Sequence, residues 1–365
     1  MSDSPSQAAL ARLADRIRAA SDAGGALRIR GGGTKDFYGC EPRGEVLDTR
    51  EYRGIVSYEP TELVITARCG TPLAEIEAAL AEKGQMLAFE RPAFGGPATL
   101  GGVVAAGLSG PRRAAAGAVR DYVLGAALLD GAGRLQRFGG QVMKNVAGYD
   151  VSRLLCGSLG ILGLIAEVSL KVLPRPAAEA TVAVDLDEAE ALRRLNLWAG
   201  QPLPLSASSW EAGRLHLRLS GARAAVDAAL ARFAGEVGAR PLDPRQADAH
   251  WQAIREQSAA FFAGDEPLWR FSLPSTAPAL GFPGRQLIEW GGAQRWLRAD
   301  AGVDAALLRE AARNLGGSVS LFRGGDRSGE VFMPLAPAVA GLHRRLKHEF
   351  DPAGIFNPGR MYAGL

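Results

Sequence analysis

Apolar residues recur at two spacings along the first half of the chain, one typical of helices and one typical of strands. Leu10, Leu13 and Ile17 lie three or four residues apart and predict a helix over Gln7–Ala20. Shorter apolar runs, bounded by turn-forming residues, predict strands. These strands are Leu27–Arg30, Glu45–Asp48, Ile55–Ser57, Leu63–Arg68, Tyr122–Asp130, Arg134–Phe138 and Ile165–Leu173. The last three favour an antiparallel sheet with a hairpin at Gly131-Ala132-Gly133.

The second half follows a β-α-β-β-α-β order and then a weaker repeat of the same order. The predicted strands are Thr181–Leu186, Ser206–Glu211, Arg214–Leu219, Trp269–Leu273, Gln286–Trp290, Arg295–Arg298 and Val319–Phe322. The predicted helices are Glu188–Trp198, Arg223–Val237, Ala249–Phe262, Val303–Leu315 and Pro337–Phe350. A doubled unit of this kind predicts one wide antiparallel sheet with helices on a face.

The segment Pro174-Arg175-Pro176 is the clearest break in the pattern, and we place a domain boundary there. The expected fold class is α+β, with a first domain over residues 1–175 and a smaller antiparallel cap or partner-binding domain over residues 176–345. The C-terminal tail, residues 346–365, is expected to return to the first domain.

Composition narrows the class of protein without identifying it. Apolar residues make up 47% and charged residues 22% of the 365, as in ordinary globular proteins. The net charge of +3 argues against nucleic acid as a partner. Three separated cysteines indicate neither a disulfide framework nor a zinc site. Neither a signal peptide nor a spanning helix is predicted, so we expect a cytoplasmic protein.

Common catalytic motifs are missing from the sequence. It contains no GxxxxGK[ST], no GxGxxG that opens a helix, no HExxH and no GxSxG. A nicotinamide enzyme, a metallohydrolase and a serine hydrolase are therefore poorly supported.

Glycine is abundant, with 46 residues, and four short glycine-rich segments stand out in the sequence. In the first, Gly31, Gly32 and Gly33 precede Thr34 and Lys35, which is typical of an anion-binding backbone nest but also of a flexible hairpin. The second, Thr99 to Gly110, has few side chains that fill space. It therefore either packs backbone against backbone or lies against a flat ligand.

The third and fourth segments, GGQVMKNVAGYD (139–150) and CGSLGILG (156–163), complete a recognisable order. The series GGGTK, TLGG, RDYVLG, KNVAGYD and GSLG resembles the FAD-binding domain of the vanillyl-alcohol oxidase type, also called the PCMH type. The longer phrases RIRGGGTKDFYG and GGQVMKNVAGYDVSRLLCGSLGILG are similar to the family of E subunits of bacterial glycolate oxidases. That second resemblance spans nearly the whole chain.

The resemblance implies which residues bind non-covalent FAD. The loop from Gly31 to Lys35 would hold the pyrophosphate, and Gly160 and Ile165 would offer backbone groups to the adenosine half. The residues implied on the isoalloxazine and ribityl side are Thr99, Leu100, Gly101, Gly102, Gly107 and Ser109. The remaining implied cofactor-binding residues are Lys144, Asn145, Gly148, Tyr149, Asn357 and Arg360.

Arg360 in the tail motif Asn357-Pro358-Gly359-Arg360 is expected to place a cation near the pyrimidine end of the flavin. Lys144 and Arg113 compete for that role. The alternative is a tail that ends the last helix and leaves Arg360 exposed.

Two features differ from the catalytic flavin 2-hydroxyacid dehydrogenases of the same superfamily. Leu159 occupies the acidic position of their GSEGTLG motif, and their metal-binding histidine cluster has no counterpart in sequence. We interpret His216 and His250 as isolated surface histidines. We interpret His343 and His348 as a solvated pair. No catalytic base or metal ligand is identified, and the second half offers no paired histidine or carboxylate for acid–base chemistry.

The function implied by the resemblance is that of an FAD-binding subunit in a complex that oxidises glycolate, or a similar small 2-hydroxy acid, to its oxo acid. A catalytic flavin subunit and an iron–sulfur subunit would be its partners, and the complex would lie in the cytoplasm or on the inner membrane. The alternatives are a self-sufficient FAD-dependent 2-hydroxyacid dehydrogenase and a scaffold that has lost turnover.

Overall fold

The computed structural model describes residues 4–140, 150–300 and 302–365, and a five-stranded and an eight-stranded sheet organise them. The first part of the chain contains α1 (Ser4–Ala23), β1 (Leu27–Arg30), β2 (Glu45–Asp48), β3 (Ile55–Glu59), β4 (Val64–Arg68), α2 (Leu73–Ala81), β5 (Gln85–Met86), α3 (Leu100–Ala106), α4 (Arg113–Ala116), β6 (Val123–Leu129), β7 (Leu135–Gly139), α5 (Val151–Leu154), β8 (Leu164–Lys171) and β9 (Leu173–Pro174). The five-stranded sheet is antiparallel in the order β3-β4-β8-β6-β7, while β1 and β2 form a separate parallel pair. The predicted hairpin between β6 and β7 is confirmed.

Alternate residues of β6 and β8 face two different hydrophobic clusters, one on each side of the sheet. Leu128 and Ile165 belong to the cluster that contains the buried residues of α2 and α3. Leu129 and Leu164 belong to the cluster that contains the buried face of α1. Because both faces are covered, β8 is buried along nearly its whole length, although Glu167, Ser169 and Lys171 alternate with apolar residues in its second half.

The second part of the chain contains β10 (Ala178–Asp185), α6 (Glu188–Ala199), β11 (Leu205–Glu211), β12 (Arg214–Gly221), α7 (Arg223–Val237), β13 (Arg240–Pro241), α8 (Pro244–Glu256), β14 (Leu268–Ser272), β15 (Gly284–Glu289), β16 (Gln294–Ala299), α9 (Ala305–Asn314), β17 (Ser318–Arg323) and α10 (Pro337–Phe350). Its antiparallel sheet has the order β13-β10-β12-β11-β15-β16-β14-β17. The two predicted units join where β11 pairs with β15. The wide antiparallel sheet expected from the doubled pattern is therefore confirmed.

The change from the first sheet to the second falls at the proline-rich segment, because β9 ends at Pro174 and β10 begins at Ala178. The large aromatic residues of the second part are buried, and Phe261, Phe262 and Trp296 pack in one cluster with Tyr38, Ala106 and Leu108 of the first part. Trp251, Phe261, Phe262, Trp269 and Trp296 are all buried, and they are therefore core residues.

The C-terminal tail returns to the first part of the chain. The backbone N–H of Leu27 donates to the carbonyl of Ile355 at 2.7 Å, and that of Asn357 donates to the carbonyl of Leu27 at 2.8 Å. Lys347 at the end of α10 is buried, and its ammonium group donates to Asp351 and to the carbonyls of Ile161 and Phe356. These bonds attach the tail beside β1.

The two parts are joined by a cluster of buried ions around Glu90 and Arg112. Arg112 donates to Glu90 and, at 2.7 Å, to Glu179, while Arg218 donates to Glu90 at 2.8 Å. The indole N–H of Trp290 also donates to the carbonyl of Gly110. The eight-stranded sheet is thus held against the segment that follows α3.

Across the described part of the chain, every helix is too short or too polar to span a lipid bilayer.

Candidate functional site

The glycine loop that follows β1 packs directly against the segment that precedes α3. A Cβ atom on Gly31 would overlap the hydroxyl of Thr99, and one on Gly32 would overlap the carbonyl oxygen of Pro97. Gly33 has a φ of +71°, which side-chain-bearing residues rarely adopt. The predicted close approach of backbone is therefore present here, and it leaves the loop lining a cleft together with Thr34 and Lys35.

Thr99 contributes an unpaired polar atom to the same cleft. Its side chain is only 4% exposed, and its hydroxyl oxygen has no hydrogen-bond partner among residues 4–140, 150–300 and 302–365. Leaving a buried hydroxyl unpaired costs about 1–3 kcal/mol. Such a group beside a glycine loop indicates a place where a bound ligand completes the hydrogen bond.

The second glycine segment forms the short helix α3, and two of its glycines, Gly101 and Gly102, have different surroundings. Gly101 packs against Cys69, since a Cβ atom there would lie 2.7 Å from the Cβ of Cys69. Gly102 faces the cleft, and the nearest atom to a Cβ placed there is the Thr99 hydroxyl at 3.4 Å. One side of the helix thus packs closely against the neighbouring chain, and the other side faces the cleft.

Leu100 and Gly107 do not line the cleft, contrary to the role implied for them. The side chain of Leu100 is buried in the core of the first part of the chain, because it lies on the face of α3 that packs against the sheet. Gly107 ends α3 in a left-handed conformation and lies against Gly157. Both residues position the helix. Ser109 accepts a hydrogen bond from the N–H of Val119 and lines a neighbouring cleft instead.

Gly160 and Ile165 line a second cavity that continues from the first. Gly31, Gly102, Leu159 and Asn357 belong to both linings. Leu159 has a φ of +52°, and its N–H donates to the carbonyl of Ala105 at 2.9 Å. The segment that brings Gly160 to the cavity is thus attached to α3.

The glycine loop, α3, the segment around Leu159 and the tail around Asn357 together form a surface that we call the cradle. Asn357 connects three of its parts by hydrogen bonds. Its side-chain oxygen accepts from the N–H of Ile29 at 2.8 Å, and its amide nitrogen donates to the carbonyl of Leu159 at 2.6 Å. The C-terminal tail therefore lies against β1 and the segment that contains Leu159.

Arg360 is 7% exposed, so the alternative of an exposed arginine is wrong. Its guanidinium donates to the carbonyls of Lys35, Asp36 and Cys40, and burial lowers its pKa to about 10. These contacts fix the loop that follows the glycines. Its expected action on the pyrimidine end of a flavin stays a prediction.

Lys35 lies between the glycine loop and an aromatic ring. Its ammonium group is 3.1 Å from the Thr34 hydroxyl and 5.4 Å from the ring centre of Phe94. Burial, followed by the nearby charge of Arg91, lowers the pKa of Lys35 to about 8. A cation that is costly to bury is stabilised when an anion binds beside it.

Four of the implied residues, Lys144, Asn145, Gly148 and Tyr149, lie outside the described residues.

The interpretation of His216 and His250 as isolated surface residues is wrong. Their rings stack with centres 4.0 Å apart, and Nε2 of His250 is 2.8 Å from the hydroxyl of Ser209. Burial lowers the pKa of His216 to about 4 and that of His250 to about 3. The two residues meet because α8, which carries His250, packs against β10, and β10 pairs with β12, which carries His216. The spacing of the two histidines in the sequence does not show this contact. His348 is exposed as expected, while His343 is half-buried and its Nδ1 lies 2.9 Å from the carbonyl oxygen of Val339.

Sequence reasoning also missed a carboxylate in the second part of the chain. Glu289 at the end of β15 is 3% exposed and lines the same cleft as Ser109. Its Oε2 accepts from the indole N–H of Trp296 at 2.6 Å and from the side chain of Gln294 at 3.0 Å. The sequence pattern identifies no candidate base, and Glu289 is a buried carboxylate that the pattern does not single out. The available signal was a single acidic residue within the apolar run Leu287–Trp290.

Histidine, cysteine and carboxylate side chains do not gather into a metal-binding group anywhere in the three described ranges.

Comparison with known proteins agrees with this geometry. Residues 8–139 match a family model described as an FAD binding domain. The chain is 49% identical over 339 residues to glycolate oxidase subunit GlcE of Escherichia coli strain K12, and the match covers 93% of each protein. It is 32% identical over 155 residues to glycolate oxidase subunit GlcD of Bacillus subtilis strain 168, covering 42% of this chain and 33% of that protein.

Among solved structures, the fold is similar to that of an alkyldihydroxyacetonephosphate synthase, with a TM-score of 0.67 at 15% identity. That match covers 95% of this chain and 74% of the synthase chain. The predicted fold class, a PCMH-type domain followed by an antiparallel α+β cap, is confirmed.

Proposed function

Because the chain belongs to the family of the glycolate oxidase subunit GlcE, we propose that it is the FAD-binding subunit of a complex that oxidises glycolate to glyoxylate. The complex passes the electrons from this chain to a partner subunit. The chain is accordingly a flavin-dependent oxidoreductase, and FAD supplies the two-electron acceptor for the reaction.

The single observation that carries the proposal is the unpaired Thr99 hydroxyl in a cleft lined by the glycine loop. Backbone N–H groups of Gly31 to Lys35 would hold the pyrophosphate, with Lys35 as a nearby cation. Gly102 leaves space for the cofactor beside Thr99. Gly160 and Ile165 would border the adenosine half. Asn357 and Arg360 hold these segments in place.

The FAD is proposed to be bound without a covalent link. The usual histidine linkage requires a histidine in the flavin-binding part, and the first histidine in the sequence is His216. Acid precipitation is therefore expected to release all the yellow colour into the supernatant. A yellow pellet would show a covalent link.

The electron path beyond this chain is proposed to run through partners. The cysteines Cys40, Cys69 and Cys156 are free, and burial raises the pKa of Cys69 and of Cys156 to about 12. Iron–sulfur clusters need several thiolates in one place, which separated protonated thiols do not provide. An iron–sulfur subunit and a catalytic flavin subunit are therefore the proposed partners. In a complex of this kind the chain works in the cytoplasm or at the inner face of the membrane.

A self-sufficient FAD-dependent 2-hydroxyacid dehydrogenase is the second candidate. The observation in its favour is the cleft around Glu289, which lies beside the segment after α3 and contains both a carboxylate and arginines. This arrangement gives the chain the side chains that bind and deprotonate a hydroxy acid.

Copurification from the native host distinguishes the candidates. The tagged chain is isolated, its partners are separated, and an absorbance spectrum is recorded for each subunit. The proposal expects a yellow chain that brings down an iron–sulfur protein and a second flavoprotein. A yellow chain that is isolated alone and turns over glycolate with an artificial acceptor favours the second candidate, and a colourless chain contradicts both.

A further inference from the structure

A second cleft lies between the segment after α3 and the eight-stranded sheet. Residues 108–110 form one wall, and Arg270, Glu289 and Trp296 lie on neighbouring strands of the other wall. Phe94 also lines this cleft, and Lys35 of the glycine loop lies over its ring. The cleft is thus next to the cradle proposed to hold FAD.

Glu289 is held rigidly at the base of this cleft. The register of the hairpin pairs Glu289 with Gln294, and Trp296 follows two residues later on β16. Both neighbours donate to Oε2 of the carboxylate. Since each is a neutral donor, the carboxylate gains orientation without the full charge compensation of an ion pair.

Two arginines, Arg255 and Arg270, line the cleft, and their side chains donate to residues other than Glu289. Arg270 lines the cleft, and its guanidinium donates to the hydroxyl of Tyr38 at 3.3 Å. Arg255 lines it as well and donates to Glu256. An anionic ligand that enters this cleft therefore meets the Arg270 guanidinium and the Glu289 carboxylate, which both lie on the wall formed by the eight-stranded sheet.

We propose that Glu289 is the group that takes the hydroxyl proton of a small 2-hydroxy acid, whose carboxylate is bound by Arg270. This inference rests on the proposed function and goes beyond it, because it locates substrate oxidation in this chain rather than only in a partner.

The chemistry balances with oxidised FAD as the electron acceptor. The O–H bond of the substrate breaks and its proton moves to the carboxylate of Glu289. The hydrogen on the adjacent carbon leaves with two electrons to the flavin, and a C=O double bond forms. The products are the 2-oxo acid, protonated Glu289 and reduced flavin, which the proposed partner then reoxidises.

The proton affinity of Glu289 suits this role. Burial raises its pKa to about 7, the donors Trp296 and Gln294 act in the opposite direction, and the charge of Glu90 adds to the increase. The positive charge of Arg270 acts to lower the pKa of Glu289. A base works best when its pKa lies near the working pH.

Three variants test the proposal in the FAD-loaded chain. Glu289→Gln removes the charge while keeping the shape, and Glu289→Asp keeps the charge on a shorter side chain. Glu211→Gln is the matched control, because Glu211 lies on the adjacent strand β11 and its burial also raises its pKa, but it is not part of the cleft lining. The FAD content and melting temperature of each variant are recorded first, so that a misfolded protein is recognised.

The first readout is binding and does not depend on turnover. Oxalate, a non-reacting dianion, is titrated against the flavin spectrum between pH 5.5 and 8.5. In the wild type and in Glu211→Gln its Kd is expected to rise by up to about tenfold per pH unit above pH 7, because ionised Glu289 repels the ligand. In Glu289→Gln the Kd is expected to stay low and independent of pH.

The second readout is the rate of flavin bleaching by glycolate without oxygen. Glu289→Gln is expected to slow bleaching by about 10²- to 10⁴-fold, and Glu289→Asp is expected to recover part of the rate. Bleaching at the wild-type rate in Glu289→Gln, or oxalate binding that is independent of pH in the wild type, would overturn the inference.

Failure of the inference and failure of the proposed function are distinguishable. A chain that holds FAD and copurifies with its partners, but whose flavin spectrum does not respond to oxalate, contradicts only the role of Glu289. A chain that binds no FAD contradicts the proposed function itself.

Discussion

The cradle proposed to bind FAD and the cleft around Glu289 differ in which atoms form their surfaces. In the cradle, backbone atoms of the glycine loop, α3 and the tail form the surface, and side chains such as Asn357 and Arg360 serve to hold that backbone. In the cleft, the surface is made by the side chains of Glu289, Arg270 and Trp296 on neighbouring strands. Added side-chain atoms in the cradle are therefore expected to compete with the cofactor for space, whereas the cleft is expected to be most sensitive to changes of charge.

The largest effect on FAD affinity is expected from adding a side chain to the cradle. Gly102→Val places methyl groups in the space beside Thr99, while the apoprotein has room for the new Cβ atom. Overpacking costs about 1–3 kcal/mol, so FAD affinity should fall by about 5- to 150-fold. Fluorescence titration of the apoprotein with FAD measures the change.

Gly235→Val is the matched control for this change. Gly235 is an exposed glycine within α7, and nothing lies within 4 Å of a Cβ atom placed there. Both variants should melt close to the wild-type apoprotein, because valine has a higher helix propensity than glycine. Equal FAD affinity in Gly102→Val and Gly235→Val would show that Gly102 does not face the cofactor.

The largest effect on the free energy of unfolding concerns the contact between the two parts of the chain. Arg218 is buried, donates to Glu90 across the boundary and lies over the ring of Trp251. Arg218→Gln leaves Glu90 with less compensation and should lower the free energy of unfolding by about 3–5 kcal/mol. Arg214→Gln on the same strand removes an exposed pair with Asp185, for which a change within about 0.5 kcal/mol is expected. Equal urea midpoints for the two variants would contradict the coupling.

A smaller effect is expected from Arg360→Gln. The variant loses charge-assisted bonds to the carbonyls of the loop after the glycines, so the free energy of unfolding should fall by about 2 kcal/mol. FAD affinity should fall with it, because the loop is less fixed. The exposed Arg345 on α10 provides the control. If Arg360→Gln changes only the flavin reduction potential and neither stability nor affinity, the arginine acts on the flavin rather than on the loop.

The smallest effect is a pH dependence that arises away from both sites. The pKa values of His216 and His250 are lowered from 6.5 to about 4 and about 3, so the unfolded chain binds more protons below pH 6.5. Stability is therefore expected to fall as the pH decreases from 6.5 towards 4. In His250→Gln the decrease of the melting temperature over this range should be smaller. An unchanged pH profile would contradict the burial of the pair.

The difference between the cradle and the cleft also explains which features could be predicted from the sequence. The bounds of β1, β2, α7 and α10 follow from local spacing, turn residues and caps, and the predicted bounds agree with the structure. The close packing of the glycine loop was also predictable, because the consecutive glycines Gly31, Gly32 and Gly33 permit an approach of backbone that side chains would prevent.

The cleft was not predictable in this way. Glu289, Arg270 and Trp296 come together only through the register of β14, β15 and β16, and His216 meets His250 only through packing. Leu100 was assigned to the cofactor because it lies within a glycine segment, but the helical turn directs it into the core. A one-residue change in register or in helical phase moves a side chain to the opposite face, and sequence spacing does not determine it.

The central claim, that the glycine cradle of this chain binds FAD, is tested most directly by titrating the isolated apoprotein with FAD and counting bound cofactor. We expect saturation at one FAD per chain, full release on acid precipitation, and loss of most binding in Gly102→Val. Absence of saturable binding in the wild type, or binding that Gly102→Val leaves unchanged, would contradict the claim.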